Sequence, residues 1–434
     1  MRAYGILSKA IASFYKVILK IISQLVNPVK FGLALVLLPF LYLLKLVNPK
    51  LHLRVMTTNH QFFGHLALEP EKYLSALDSL NSLYEIEFNG EKRWENISRG
   101  SEALISPKTL TLWNFGKISK TKNEQLFKMW KRTINVLPSF IAGTLLRAGR
   151  ISRISNISEY QFSSLLSADR YLDLSPAHLE FLATELNQAQ IELKNIGIDP
   201  NKPWVCFIVR SQNETDTESA LRSRQVQDFV LAAQHLVQHG VQVVRMGASK
   251  TVPFGVDHEL VIDYANSVHR TALLDIFLLG NCAFAVSTLS GPDAVCMAFR
   301  RPVLYIDLAN YALCFSGTKL TTWTPALIRR ESSGELLSLI EVFNCGAGWF
   351  WKDSQFREAG LRVERSSPDE IAQYVSAMYN KLILNKTQKS SDVQMKYQAT
   401  IQQAMGDLGE QWHGKIGSFL SEPFLSKHGI WFLS

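Results

Sequence analysis

The stretch Ala283–Asp307, AFAVSTLSGPDAVCMAFRRPVLYID, decides how the chain is read. Its first part, Ala283–Ser287, is a short apolar run of the kind that forms a buried strand. Thr288-Leu289-Ser290-Gly291-Pro292 is turn chemistry, and it ends where a helix can begin. Asp293–Phe299 fits a short apolar helix closed by Arg300-Arg301-Pro302, and Val303–Ile306 is a second apolar strand. Strand, turn, helix and parallel strand in this order make a right-handed crossover unit. Such a unit leaves backbone N–H groups at a helix N-terminus, where an anion is stabilised. Ser290-Gly291 suits that place, because glycine lets a ligand approach the backbone and serine caps a helix or meets a phosphate. A capped turn between two core strands that binds nothing fits the stretch equally well.

Outward from this unit the same alternation continues. Trp204–Val209 is an apolar strand with Arg210 at its end. Gln225–His239 has amphipathic helical spacing and stops at Gly240. Val241–Val244 reads as a second strand followed by Arg245 and Gly247, and Leu260–Ile262 as a third ending in Asp263. Thr271–Leu279, Glu335–Phe343 and Ser367–Ile383 read as helices, the last opened by a serine cap, a proline and two acids. Continuous apolar strands separated by helices give a parallel sheet covered on both faces. Before the polar break Gly197–Pro203 the signal is weaker, with Leu51–Val55, Leu104–Ser106 and Thr111–Trp113 as strands and Asn123–Val136 as a helix. The expected organisation is a membrane-associating segment at 1–48, an N-terminal α/β domain at 49–196, a Rossmann-like domain at 197–385 and a helical tail at 386–434.

Composition narrows the function classes. A net charge of +8 on 434 residues fits nucleic acid, an anionic membrane surface or a phosphate-bearing substrate. No basic arm and no common nucleic-acid motif occurs, so no nucleic-acid partner is expected. The five cysteines are scattered, with no Cys-x-x-Cys pair, and indicate neither zinc nor a disulfide framework. A phosphate-binding P-loop, a Gly-x-Gly-x-x-Gly after a strand and a Gly-x-Ser-x-Gly elbow are all missing from the sequence. There is also no Asp-x-Asp pair, so neither a metal on paired carboxylates nor a resident cofactor is expected. Residues 1–26 place Ile6, Phe14, Ile18 and Leu25 at helical spacing, interrupted by Arg2, Lys9, Lys16 and Lys20. This reads as a basic amphipathic helix on a membrane surface. Phe31–Leu44 carries no charge but contains Pro39 and is shorter than the roughly 20 residues that span a bilayer. The expectation is a monotopic or peripheral anchor on the cytoplasmic face of the inner membrane.

In an open parallel sheet, ligands bind outside the carboxyl ends of the strands. The residues expected there are Arg210, Arg245 with Gly247, Asp263, Ser287-Thr288 with Ser290-Gly291, and Asp307. Arginine suits two-pronged binding of phosphate, and carboxylates at such an edge hold ribose or sugar hydroxyls. A phosphorylated ligand is the expected occupant.

Several of these segments resemble a known family. Val244-Arg245-Met246-Gly247, Ile262-Asp263-Tyr264-Ala265, Asp275–Phe284 and Ser287–Gly291 resemble bacterial glycosyltransferases of surface-polysaccharide gene clusters, similar to GT-B enzymes. Gly64-His65-Leu66, Asn123 with Met129–Arg132, Ser418–Leu420 and Trp431–Leu433 agree with that resemblance. The Ser290-Gly291-Pro292 turn, with Ala294 and then Pro302 after it, also looks like the donor-side helix of heptosyltransferases. Ser211-Gln212-Asn213-Glu214 departs from the acidic or histidine residues common near that arginine.

The resemblance implies two facing Rossmann-like domains, one holding a nucleotide sugar and the other the acceptor. It implies transfer of a sugar to a lipid-linked or nascent surface glycan without a metal. His65 is the expected acceptor base, with Glu69 in reserve, since a histidine titrating near neutrality deprotonates a hydroxyl as it attacks. Two other readings fit the same residues: a sugar-nucleotide epimerase on the same scaffold, and a non-catalytic nucleotide-sugar-binding assembly factor.

Overall fold

The computed structural model describes residues 52–57, 62–87, 109–114, 123–138, 157–161, 166–210, 221–247, 252–386, 392–413 and 415–434, with a few isolated positions besides. The segment read as membrane-associating lies outside the described residues except for Val36 and Pro39. The strand expected at Leu104–Ser106 also lies outside them. Among the described residues, no helix is long and apolar enough to cross a membrane.

The chain forms two compact units. The smaller holds a four-stranded parallel sheet of β1 (His52–Thr57), β2 (Thr109–Asn114), β3 (Val136–Leu137) and β4 (Ile157–Gln161), ordered β3-β2-β1-β4.

The larger unit is built on a seven-stranded sheet. Its strands are β5 (Trp204–Ile208), β6 (Gln242–Met246), β7 (Val261–Ile262), β8 (Phe284–Ser287), β9 (Val303–Leu308), β10 (Thr321–Pro325) and, last in the chain, β13 (Phe419–Leu420). The order is β13-β10-β9-β8-β5-β6-β7, and every pairing is parallel. Every residue of β5, β8 and β9 is buried, as the unbroken apolar runs require of strands covered on both faces. Each such large apolar side chain withdrawn from water contributes on the order of 2 kcal/mol. A two-stranded antiparallel ribbon, β11 (Leu327–Arg330) with β12 (Leu361–Glu364), stands apart from the sheet.

Local signals set the helices. Helix Ala272–Asn281 starts at Thr271, whose side chain accepts from the Leu274 N–H, and helix Pro368–Leu382 starts in a Ser367–Glu370 capping box. The expected helix at Glu335–Phe343 is shorter, Leu339–Asn344, because the Ser338–Glu341 capping box sets its start. The tail folds onto this unit: β13 pairs with β10, and Trp323 of β10 donates to the Tyr397 hydroxyl on helix Asp392–His413 at 2.7 Å.

Helix Phe63–Glu87 also belongs to the larger unit. Pro70 lies inside it and supplies no N–H to the Leu66 carbonyl four residues back. That carbonyl accepts instead from the Trp130 indole N–H at 2.8 Å. The buried Trp130, on helix Glu124–Thr133, thereby joins two helices and satisfies the group that proline orphans.

Candidate functional site

The sheet order reverses between β5 and β8. From β5 the chain proceeds outward through β6 and β7, then returns to β8 on the other side of β5 and continues through β9 and β10. A crevice opens at the carboxyl edge where the winding changes direction. A cavity of about 450 Å³ lies there. On the β5–β8 side it is lined by Arg210, Arg222, Thr288 and Leu289. On the β9 side it is lined by Asp307 and Leu308, which lie within the strand because β9 runs past the expected end at Ile306, and then by Ala309, Asn310, Leu313, Trp351 and Lys352; Phe62 also faces it. Phe62 and Trp351 are 59% and 51% exposed, so two aromatic rings offer open surface to a ligand.

Backbone bonds hold the cationic side in place. The Arg210 N–H donates to Thr288 Oγ1 at 3.0 Å, tying the ends of β5 and β8 together. The Arg210 carbonyl accepts from the Arg224 N–H at 2.9 Å, which brings the segment carrying Arg222 against it. The Arg224 guanidinium donates to Asp228 Oδ2 at 2.9 Å and to the Ser366 carbonyl at 3.0 Å, and forms an ion pair with Asp307. Asp307 further accepts from the Ser366 N–H at 3.0 Å and its hydroxyl at 2.6 Å. Burial pushes the Asp307 carboxyl above its ordinary range, against the opposing pull of Arg224 and Ser366. This acid is therefore committed to the protein's own framework.

The turn after β8 has an internal acceptor. Asp293 is buried, and its Oδ2 accepts from the Ser287 hydroxyl and from the Ser290 N–H, both at 2.7 Å. The Ser287 oxygen accepts in turn from the Leu289 N–H at 3.1 Å. These bonds hold Leu289 at φ +65°, a left-handed conformation that costs a non-glycine residue about 1 kcal/mol or more. Burial raises the Asp293 carboxyl to about 6, opposed by the Ser287 and Ser290 bonds and by the charge of Arg222. The anion expected from outside at this turn is thus supplied, for the Ser290 N–H, by the chain itself.

Gly291 also has a packing use. A Cβ at Gly291 would lie 3.2 Å from the Gly64 nitrogen, and one at Gly64 would lie 3.2 Å from the Gly291 Cα. The start of helix Phe63–Glu87 and the turn meet backbone to backbone, an approach that a Cβ on either side would crowd.

Of the residues singled out from the sequence, Arg210, Thr288 and Asp307 line one cavity. Ser287, Ser290 and Gly291 build the turn beside it. Arg245, Gly247 and Asp263 are not among the lining residues. Here the strand boundary is corrected: β6 continues through Arg245 to Met246, so Arg245 is a strand residue rather than an edge residue. It is 1% exposed and pairs with Asp263 Oδ1 at 2.9 Å. Asp263 also accepts from the Phe254 N–H and from the Asn266 amide. Arg270 donates to the Gly247 carbonyl at 2.8 Å. His65 and Glu69 lie one helical turn apart near Phe62, with Nδ1 and Oε1 separated by 2.6 Å. The His65 side chain is largely exposed and that of Glu69 largely covered.

Arg222, Asn310, Trp351, Lys352 and Phe62 were not reached from the sequence. Arg222 and Lys352 arrive through tertiary packing and carry no local signal. Asn310, two residues after the strand, is an N-cap signal, and its Oδ1 does accept from the Leu313 N–H at 2.9 Å.

The larger unit is therefore an open parallel α/β sheet with a ligand-sized crevice at its switch point. No protein-family model and no curated protein matches the chain. Among solved structures, a family 9 glycosyl transferase from Veillonella parvula is similar at 12% identity and a TM-score of 0.44, over 77% of this chain and 98% of that one. The E. coli ADP-heptose LPS heptosyltransferase II is similar at 14% identity and a TM-score of 0.32, over 58% of this chain and 84% of that one. Both likenesses are too distant to establish a shared activity.

Proposed function

We propose that the chain is a glycosyltransferase that moves a sugar from a nucleotide-diphosphate donor to a glycan or lipid-linked acceptor. The observation that carries this reading is the chemistry of the switch-point cavity. Arg210, Arg222 and Lys352 line it together with open aromatic rings, and Asp307, the lining carboxylate among the described residues, is paired with Arg224. Three cationic side chains beside flat apolar surface suit a ligand with a diphosphate at one end and a ring system at the other. The sequence resemblance to surface-polysaccharide glycosyltransferases points the same way.

In this reading the acceptor hydroxyl attacks the anomeric carbon, and the bond from that carbon to the phosphate oxygen breaks. The nucleoside diphosphate leaves with the electron pair, and Arg210, Arg222 and Lys352 stabilise the charge that develops on it. His65 takes the acceptor proton, and Glu69 orients its ring through the 2.6 Å contact at Nδ1, leaving Nε2 to act as base. A membrane surface would present a lipid-linked acceptor, and no metal or cofactor takes part.

The test is nucleoside diphosphate release from a panel of nucleotide sugars, with and without glycan acceptor. Acceptor-dependent release is expected, reduced about ten- to hundredfold by Arg222→Gln, as for loss of a charged hydrogen bond. Isomerised donor recovered without any acceptor would favour the epimerase, and nucleotide binding without turnover would favour the assembly factor. Wild-type protein that neither binds nor turns over any donor would end the proposal.

A further inference from the structure

Asn310 lies two residues past the end of β9, is 7% exposed and lines the cavity. Its Oδ1 is committed to the Leu313 N–H at 2.9 Å, capping the short turn Tyr311–Leu313. That bond fixes which way the amide faces, because only the oxygen can accept. The other branch, Nδ2, is buried and donates to no group among the described residues. A buried amide donor without a partner is uncommon, and at a cavity wall it marks where a ligand brings an acceptor.

The surroundings decide which part of the ligand that is. Arg210 and Thr288 stand at the ends of β5 and β8, which are paired neighbours, and Asn310 lies just past the end of β9, one strand further along. Adjacent strands are about 4.8 Å apart, so Asn310 lies roughly 10 Å from the end of β5, about the reach from a diphosphate to its base. Around it the wall is Leu308, Ala309 and Leu313, with Trp351 and Lys352 on the neighbouring segment. The turn is firm: the Tyr311 hydroxyl donates to the Ala326 carbonyl at 2.8 Å, and its ring packs against Phe343. The Trp351 and Lys352 N–H groups both donate to Gln355 Oε1, at 2.8 and 2.9 Å.

We propose that Asn310 Nδ2 donates to an acceptor atom on the nucleobase of the bound nucleotide, with the base against the Trp351 ring. This rests on the reading of the cavity as a nucleoside diphosphate site. Asn310 is then a specificity-determining residue, distinct from the cations that hold phosphate.

Asn310→Ser tests this, since serine keeps a capping oxygen for the Leu313 N–H and loses the second donor. Calorimetry on the full chain compares uridine, guanosine and adenosine diphosphates with inorganic pyrophosphate. The variant should bind the preferred nucleotide on the order of tenfold more weakly while pyrophosphate affinity holds within about twofold. Equal nucleotide affinity in both proteins overturns the Asn310 contact and leaves the nucleotide site standing. Equal losses for nucleotide and pyrophosphate put Asn310 at the phosphates and overturn it too. Failure of the wild type to bind any of these ligands overturns the nucleotide reading itself, and the contact with it. If the serine variant melts early, Asn310→Thr, which also keeps a capping oxygen, lacks Nδ2 and adds no charge, gives the same comparison.

Discussion

Asp293 should make stability depend on pH in a window that one substitution removes. Its carboxyl is fully buried and raised from 3.8 to about 6. The folded protein therefore holds this proton at pH values where the unfolded chain has released it. Stability from this group is fully present below about pH 4 and is lost as pH rises through about 6. A difference of about two pKa units at about 1.4 kcal/mol each amounts to about 3 kcal/mol across the window. Asp293→Asn keeps an oxygen for the Ser287 hydroxyl and the Ser290 N–H and does not titrate. Urea unfolding of both proteins from pH 4 to 7.5 isolates the group, since other titrations cancel in the difference. The variant should gain about 3 kcal/mol relative to wild type between the acid and neutral ends. A wild-type-minus-variant difference that stays flat over this range would refute the account of a carboxylate stranded under the turn.

Other outcomes follow from neighbouring geometry. Gly291→Ala should destabilise the protein by about 1–3 kcal/mol in thermal melts, because its Cβ would press on Gly64 backbone at 3.2 Å. Arg300→Met should cost about 1–3 kcal/mol in urea unfolding, because it strips the guanidinium, 2.8 Å away, from the fully buried Glu71 and leaves His178 as its remaining partner. Burial lowers the His178 pKa, but bonding to Glu71 and the charges of Glu71 and Asp78 outweigh it and raise the pKa above 6.5. The stability it brings is complete below about pH 6.5 and is lost as pH climbs through the raised value, so His178→Gln should flatten that part of the profile. Arg245→Met should lower stability by a few kcal/mol, through the loss of its buried pair with Asp263, and leave nucleotide affinity within about twofold of wild type.

The larger sheet was legible because β5, β8 and β9 are unbroken apolar runs, and such runs have few alternatives to a doubly covered strand. Arg210 and Thr288 could be found from the same runs, since locating a strand's carboxyl end requires no knowledge of its neighbours, whereas Asp307 lies one residue inside the end of β9 and still lines the cavity. Arg245 was misplaced for the complementary reason. An arginine inside a strand looks like the end of one, and the Asp263 that lets it be buried lies far enough along the chain to give no warning. The ribbon of β11 and β12 escaped because its charges look like loop; Arg329 and Glu364 bond to each other across it at 2.7 Å. Arg222 and Lys352 reach the cavity by folding alone. At the turn, an acid opening the helix was visible, but nothing local told which N–H it would claim.

The contact between Gly64 and Gly291 bears on how the protein can be dissected. Expressed alone, a fragment beginning at the polar break near Gly197 would carry the Gly291 turn without the helix that lies flush on it. Apolar surface meant for that helix would be left to water, and aggregation rather than a tidy half-protein is the expected yield. Anyone seeking a minimal nucleotide-binding piece would do better to retain Phe63–Glu87, joined through a linker, than to trim at the most obvious seam in the sequence.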